Sequence, residues 1–333
     1  MLHSQPSVVN GPALGENENQ RMNRMIEGDD NSFYAYRVRS RGRGTSYFIE
    51  KYDKQTMRKI FSKDISTQDV EDPKFVDVFY SQDAIYVFKR KYYKQERKMV
   101  LYCQKITSDG TVDQKLTEVA SAPSDHYEFI DFEICQNPTK TNFLIKSSFK
   151  ESKESKYKTD FIVCESDGMS QVFTKRIQKR LFKSYDPSSE VGVELIGLHL
   201  NDNNEIYICF SRKISNSGRD NKVEFVVQVL SADESEGNEI ILPFDNDYYI
   251  KDVRFKSLPN NEIVIAGFFK DIIEVKGRDL FKMGVFAFKI DEKSQSVKSS
   301  SIKNFDDNFL VQLEASSKRP KFNLKMDYVF TNN

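Results

Sequence analysis

Five acidic residues recur at one place in a repeating phrase. Glu27, Asp77, Asp131, Asp252 and Asp327 fall in RMIEG, FVDVF, FIDFE, IKDVR and KMDYV, and Gly197 interrupts the series. Carboxylates gathered in this way offer two chemistries. Hard oxygen donors suit Ca²⁺ or Mg²⁺ better than zinc, so Asp77, Asp131 and Asp252 are candidate ligands for a Ca²⁺ ion, the one cofactor the pattern admits. Two carboxylates about 5–9 Å apart would instead serve as acid and base in glycan cleavage. The competing reading is structural: each carboxylate accepts backbone hydrogen bonds and registers one repeat against the next.

Basic residues form the second constellation. The stretches 37–44, 89–98, 146–158, 212–222 and 270–282 carry a net excess of sixteen positive charges in a chain whose overall charge is zero. Arg39, Arg41, Arg43, Lys89, Arg90 and Lys91 are the candidate contacts for an anionic polymer or an acidic protein. Tyr92 and Tyr93, inside KRKYYK, would add stacking surface. Mutual neutralisation with the acidic linkers is the competing reading, because exposed ion pairs contribute little individually. The zero net charge gives no general pull toward nucleic acid.

Other catalytic patterns are missing. The three histidines, His3, His126 and His199, show no HxxxH or HExxH spacing. There is no GxSxG elbow and no P-loop. Cys103, Cys135, Cys164 and Cys209 lie singly within apolar runs and read as buried free thiols. Gly42 and Gly44 read as a hairpin turn. No apolar run reaches the roughly 18 residues that a spanning helix needs.

The elements that must position these groups are strands. Period-2 patterns rich in Val, Ile, Phe and Tyr dominate the chain. They fall into five units of four short strands each, approximately 25–66, 75–121, 129–180, 194–244 and 250–305, behind a flexible tail at 1–24. Aligned on Ile26, Val76, Ile130, Ile196 and Lys251, the units repeat about every 50 residues, the signature of β-propeller blades. Ser108-Asp109-Gly110 and Ser166-Asp167-Gly168 supply tight turns between third and fourth strands. A β-sandwich has no reason to repeat at this period. WD40 blades use Trp, and this chain has none. After the fifth unit, residues 306–319 suit a short helix that Pro320 would stop. Residues 322–330 then repeat the opening strand of a sixth blade. This strand either closes the ring against the first blade or leaves an open β edge that invites self-association.

The phrases GVFAFKIDEKSQSVKSSSIKNFDDNFL and NSFYAYRVRSRGRGTSYFIEKYDKQTMRKIFSKDI resemble a large group of uncharacterised Bacteroidetes β-propeller-like proteins over most of the chain. The resemblance implies an exported protein of the cell envelope or exterior, and it supplies no site residues. The N-terminus carries no signal-peptide pattern, which as written reads as cytoplasmic. The expectation is therefore an all-β propeller of five four-stranded blades, acting as a non-catalytic binding or scaffold module for a polysaccharide or an acidic protein. The alternative is a glycan-active hydrolase or lyase. The alternative requires one carboxyl with a raised pKa and a deep aromatic pocket beside it, whereas a flat face with every acid solvated favours the scaffold.

Overall fold

The computed structural model describes residues 20–41, 44–66, 70–71, 73–124, 130–150, 157–177, 194–213, 223–233, 237–244, 248–275 and 278–306. They form twenty strands. Blade one comprises β1 (Gln20–Ile26), β2 (Ser32–Arg41), β3 (Gly44–Asp53) and β4 (Lys59–Asp64). Blade two comprises β5 (Lys74–Ser81), β6 (Ala84–Tyr93), β7 (Lys98–Thr107) and β8 (Thr117–Pro123). Blade three comprises β9 (Asp131–Gln136), β10 (Asn142–Lys150), β11 (Tyr157–Glu165) and β12 (Gln171–Ile177). Blade four comprises β13 (Glu194–Leu200), β14 (Ile206–Lys213), β15 (Val223–Leu230) and β16 (Asn238–Leu242). Blade five comprises β17 (Tyr248–Leu258), β18 (Glu262–Val275), β19 (Arg278–Asp291) and β20 (Ser296–Asn304). Each blade is a separate four-stranded sheet with its strands in chain order. This is the β-propeller fold class. The terminal helix and sixth opening strand expected from the sequence lie outside the described residues. The first strand starts at Gln20, inside the stretch read as tail.

Middle strands are covered on both faces, as stacking between blades requires. Residues 84–89 of β6 are continuously buried, whereas the outer strand β20 is mostly exposed. Two compact units divide the chain: residues 1–132 with 164–171, and residues 133–163 with 172–333. In the first, Ile26, Tyr34 and Ile49 of blade one pack with Val78, Ile85 and Val87 of blade two. Tyr36 stacks on Phe75 at a centroid distance of 4.1 Å. In the second, Phe225 and Val227 of blade four share a core with Ile265, Phe286 and Phe288 of blade five. Leu195 and Phe210 of blade four pack with Leu144 and Phe161 of blade three. Burying each such side chain stabilises the fold by about 1.5–3 kcal/mol.

The opening strands share a local irregularity. The register against the second strand shifts between Met22 and Arg24, Phe75 and Asp77, Leu195 and Gly197, and Ile250 and Val253. A β-bulge of this kind re-aims the residues that follow it. It also corrects the alignment of blade one. The bulge places Arg24 opposite Tyr36, as Asp77 lies opposite Phe88 and Gly197 opposite Cys209. Arg24, not Glu27, therefore occupies the acidic column. Gly197 interrupts that column for a steric reason. A Cβ there would lie 2.3 Å from Val253 Cγ2 and 2.8 Å from Phe255 Cε2. The Asp-Gly turns also form as expected, with Gly110 and Gly168 at φ of +86° and +76°.

Candidate active site

The acidic column does not assemble a cation site among the described residues. Asp77 is engaged by the Arg24 guanidinium of blade one and by the Val78 amide at 2.7 Å. It registers the two blades, as the structural reading holds. Asp131 and Asp252 lie on β9 and β17, but their side chains, like Asp327, are outside the described residues. Among the described residues, no group of three or more His, Cys, Asp or Glu side chains could hold a metal ion.

The basic rim is corrected more substantially. Strand β6 runs straight through the KRKYY stretch to Tyr93, so these residues belong to the sheet and not to a free loop. Lys89 is only 4% exposed. Its Nζ donates to the Ile65 carbonyl and, at 2.7 Å, to Gln104 Oε1. Arg90 donates to the Ile130 carbonyl at 2.9 Å, Lys91 to the Glu71 carbonyl, and Tyr92 to the Ser124 carbonyl at 3.3 Å. Tyr93 shares a 2.6 Å hydrogen bond with Tyr102. The physical reason is the linkers. Chain leaving a sheet carries carbonyls without ladder partners, and such groups must be satisfied when covered. Long cationic side chains at the end of β6 reach them. Arg39 rests on the Phe48 ring at 4.9 Å. The Arg41 side chain and all of Arg43 are outside the described residues. Arg37 and Lys146, counted with the rim, are buried, and Arg212 pairs with Glu224 and Glu239.

Three of the four thiols, Cys103, Cys164 and Cys209, are buried as expected, whereas Cys135 is only partly covered. Burial pushes Cys164 up to about 11 and raises Cys103 and Cys209 as well, whereas a reactive cysteine needs a lowered pKa. His199 is buried, stacked on Phe255 at 5.5 Å and bonded to Ser257 Oγ at 2.9 Å. Burial lowers its pKa to about 4, so it is a neutral core residue near pH 7.

A constellation unmarked in the sequence lies in the second unit. It joins the turn after β13 to the turn after β19. Asn201, 1% exposed, is its centre. Its Oδ1 accepts the amides of Asn203 at 3.0 Å and Glu205 at 2.8 Å, which shapes the first turn. Asn204, at φ of +62°, occupies the left-handed region that Asn tolerates. With Oδ1 committed to the turn, Asn201 Nδ2 is free to serve carboxylates. It donates to Glu205 Oε2 at 2.7 Å. Glu292 is fixed by its own amide, which donates to the Asn261 carbonyl at 2.9 Å. The Tyr207 hydroxyl donates to Glu205 Oε2 at 3.2 Å. Both carboxylates are half-buried and Asp202 is exposed.

Their environments differ. Burial pushes the Glu292 carboxyl above its ordinary range. The nearby Asn201 side chain opposes this, while the charges of Glu205, Asp202 and Asp291 push it further up. Asp291, the adjacent residue, is pulled down by the Ser294 amide and hydroxyl. Tyr207 and His199, with ring centroids 6.2 Å apart, stand behind the pair. The raised carboxyl that the enzymatic alternative calls for is thus found at a residue other than those of the acidic column.

No family model and no curated protein matches the sequence. Solved structures of similar course are propellers. One is the arabinofuranosidase of family GH93 from Fusarium graminearum in complex with arabinobiose, with a TM-score of 0.42 and 13% identity, covering 68% of this chain and 64% of that one. The chain thus spans just under two thirds of that enzyme's length. Another is the propeller domain of the Trilobed protease from Pyrococcus furiosus, with a TM-score of 0.43 and 8% identity, covering 87% of this chain and 82% of that one. A third is the endosialidase of phage phi92, with a TM-score of 0.37 and 10% identity, covering 85% and 56%. The expectation of a non-catalytic module is corrected at the feature that carried it: much of the basic rim serves the protein's own linkers and ion pairs.

Proposed function

We propose that this protein hydrolyses glycosidic bonds, with Glu292 as general acid and Glu205 as its carboxylate partner. The observation that carries this reading is the placing of two half-buried glutamates on the turns after β13 and β19, where Asn201 Nδ2 holds Glu205 Oε2 at 2.7 Å and burial with neighbouring negative charge raises the Glu292 carboxyl. A general acid must hold its proton near the working pH, and environments that push two carboxyls apart are how one site performs acid and base roles. Glu292 would protonate the departing glycosidic oxygen while a Glu205 oxygen attacks the anomeric carbon. Water would then cleave the resulting glycosyl ester, returning its proton to Glu292. A polysaccharide substrate would be met in the cell envelope or outside the cell, and that location belongs to the same proposal.

The test is a panel of aryl glycosides and polysaccharides, beginning with arabinosides and sialosides. Glu292→Gln and Glu205→Gln should each lower kcat on the best substrate by about 10²–10⁴-fold. Activity should fall as pH rises through the raised pKa of Glu292, because the acid then loses its proton. Full activity in both variants would overturn the assignment.

A further inference from the structure

The strand order β17-β18-β19-β20 leaves β20 with one paired edge and one open edge within its sheet. At nine residues it is the longest of the five described outer strands, against six, seven, seven and five for β4, β8, β12 and β16. An open edge offers unpaired amides and carbonyls, and proteins blunt such edges with short strands, charge, proline or bulges. Strand β8, for example, ends on Pro123. On β20 the bulge falls at Lys298, and that lysine is drawn to Glu262 on its own sheet. From Ser299 to Ile302 there is no charge, proline or glycine, and Ser299, Ser300 and Ser301 are exposed.

The ladder to β19 fixes which backbone groups face outward. The Phe305 amide donates to the Met283 carbonyl at 2.8 Å, continuing the register that sets Asn304 against Gly284 and Lys303 against Val285. In an antiparallel pair, hydrogen-bonded and non-bonded positions alternate. Lys303, Ser301 and Ser299 therefore bond β19, and the amides and carbonyls of Ser300, Ile302 and Asn304 point away from it.

We propose that this edge pairs antiparallel with β20 of a second copy of the chain, about a two-fold axis at Ile302. That register alone sets all three outward residues against outward residues. Ile302 meets Ile302, and Ser300 meets Asn304 in each direction, with two hydrogen bonds at every pair. Like charges directly opposite would destabilise such a ladder. Here Ser301 falls opposite Lys303, and Lys298 opposite Asp306, so no lysine faces a lysine and the ends carry opposite charge. The surface is thus self-complementary, as a two-fold contact must be. A paired edge of this length buries less than the roughly 1,200 Å² of a standard interface, so the Kd should be on the order of 100 µM. The pairing does not depend on the hydrolase assignment.

Sedimentation of the full chain from about 10 µM to 1 mM, which spans that Kd, should show one chain passing toward two. Ser300→Pro removes an outward amide and keeps the ladder to β19, because an edge tolerates proline where its nitrogen faces solvent. The bond is lost twice across the two-fold, so association should weaken about tenfold or more, with the melting temperature unchanged. The register is read separately with Ser301→Cys and Lys303→Cys, made singly. Across the axis their Cα atoms would lie about 4.5 Å apart, within disulfide reach. Diamide, which takes up the two electrons and two protons released, should cross-link an equal mixture of the two variants faster than either alone, judged on non-reducing gels against the parent chain. If Ser300→Pro lowers the melting temperature, the mixture alone decides. A single chain at every concentration, association unchanged in a stable Ser300→Pro, or cross-linking no faster in the mixture would overturn the inference.

Discussion

Blades one and two close their interiors differently from blades four and five. The comparison can be made at one register, the residue paired just before the opening-strand bulge. It is Arg37 opposite Met22 and Lys89 opposite Phe75, but Phe210 opposite Leu195 and Phe269 opposite Ile250. All four are buried. The cations are met from the third strand at a common position, by Glu50 at 2.8 Å and by Gln104 at 2.7 Å. The linkers follow suit. Lys89 holds the Ile65 carbonyl between blades one and two. Between blades four and five, Phe244 packs edge-on against Phe225, Phe286 and Phe288. One backbone plan thus accepts either a polar or an aromatic closure. The polar closure depends on specific partners, because each buried donor and acceptor must be satisfied. The aromatic closure depends on volume and shape.

Breaking the aromatic closure should cost most. Phe288→Ala removes a ring that is fully buried and packed on Phe244, and it should lower unfolding free energy by about 4 kcal/mol in a denaturant titration. A loss below about 1 kcal/mol would show that the surrounding rings collapse into the space.

Breaking the polar closure of blade one should cost about 3 kcal/mol, because Arg37→Met leaves Glu50 buried without its guanidinium. Replacing both partners sharpens the test: Arg37→Met with Glu50→Leu should recover most of the loss. The pH dependence has a definite sign. Burial raises the Glu50 pKa, but hydrogen bonds from Tyr52 and Arg37 and the Arg37 charge outweigh it, so the net shift is downward. Stability from Glu50 is therefore present above the ordinary carboxylate range and lost as pH falls through the lowered value. Arg37→Met should flatten that acid limb, and an unchanged limb would count against the pairing.

The smallest effect belongs to Lys89→Met. It leaves a linker carbonyl and the Gln104 amide oxygen without their cation, a loss of about 1–3 kcal/mol. Adding Gln104→Leu should recover only part of it, because the Ile65 carbonyl remains unsatisfied. Full recovery would mean that the linker finds another donor.

Much of the fold was legible in the sequence, because alternation and a period near fifty residues are properties of the chain itself. The phase of blade one was not. Its opening strand reads QRMNRMI, too polar to mark its own centre, so Ile26 was taken as the anchor, whereas the bulge lies three residues earlier. Basic residues at the end of β6 looked like a loop because charge hides a strand whose faces are both covered. The carbonyls they serve have no signature in sequence. Glu205 and Glu292 were unmarked for another reason: each sits in an ordinary polar turn. Only the packing of blade five beside blade four, close enough to require Gly197, brings their turns side by side.

The bonds that stitch neighbouring blades along their turns have a direction. Lys51 of blade one donates to the Ser108 carbonyl of blade two, and Lys105 of blade two donates to Asp167 of blade three. Asn137 and Asn142 of blade three donate to Asp202 and Asn204 of blade four. In each of these bonds the donor belongs to the blade nearer the N-terminus. A ribosome makes that blade first, at about 5–20 residues per second. Were the blades to fold as they emerge, each new one would find a donor already in place, and the side left waiting would be an amine or amide that water solvates readily.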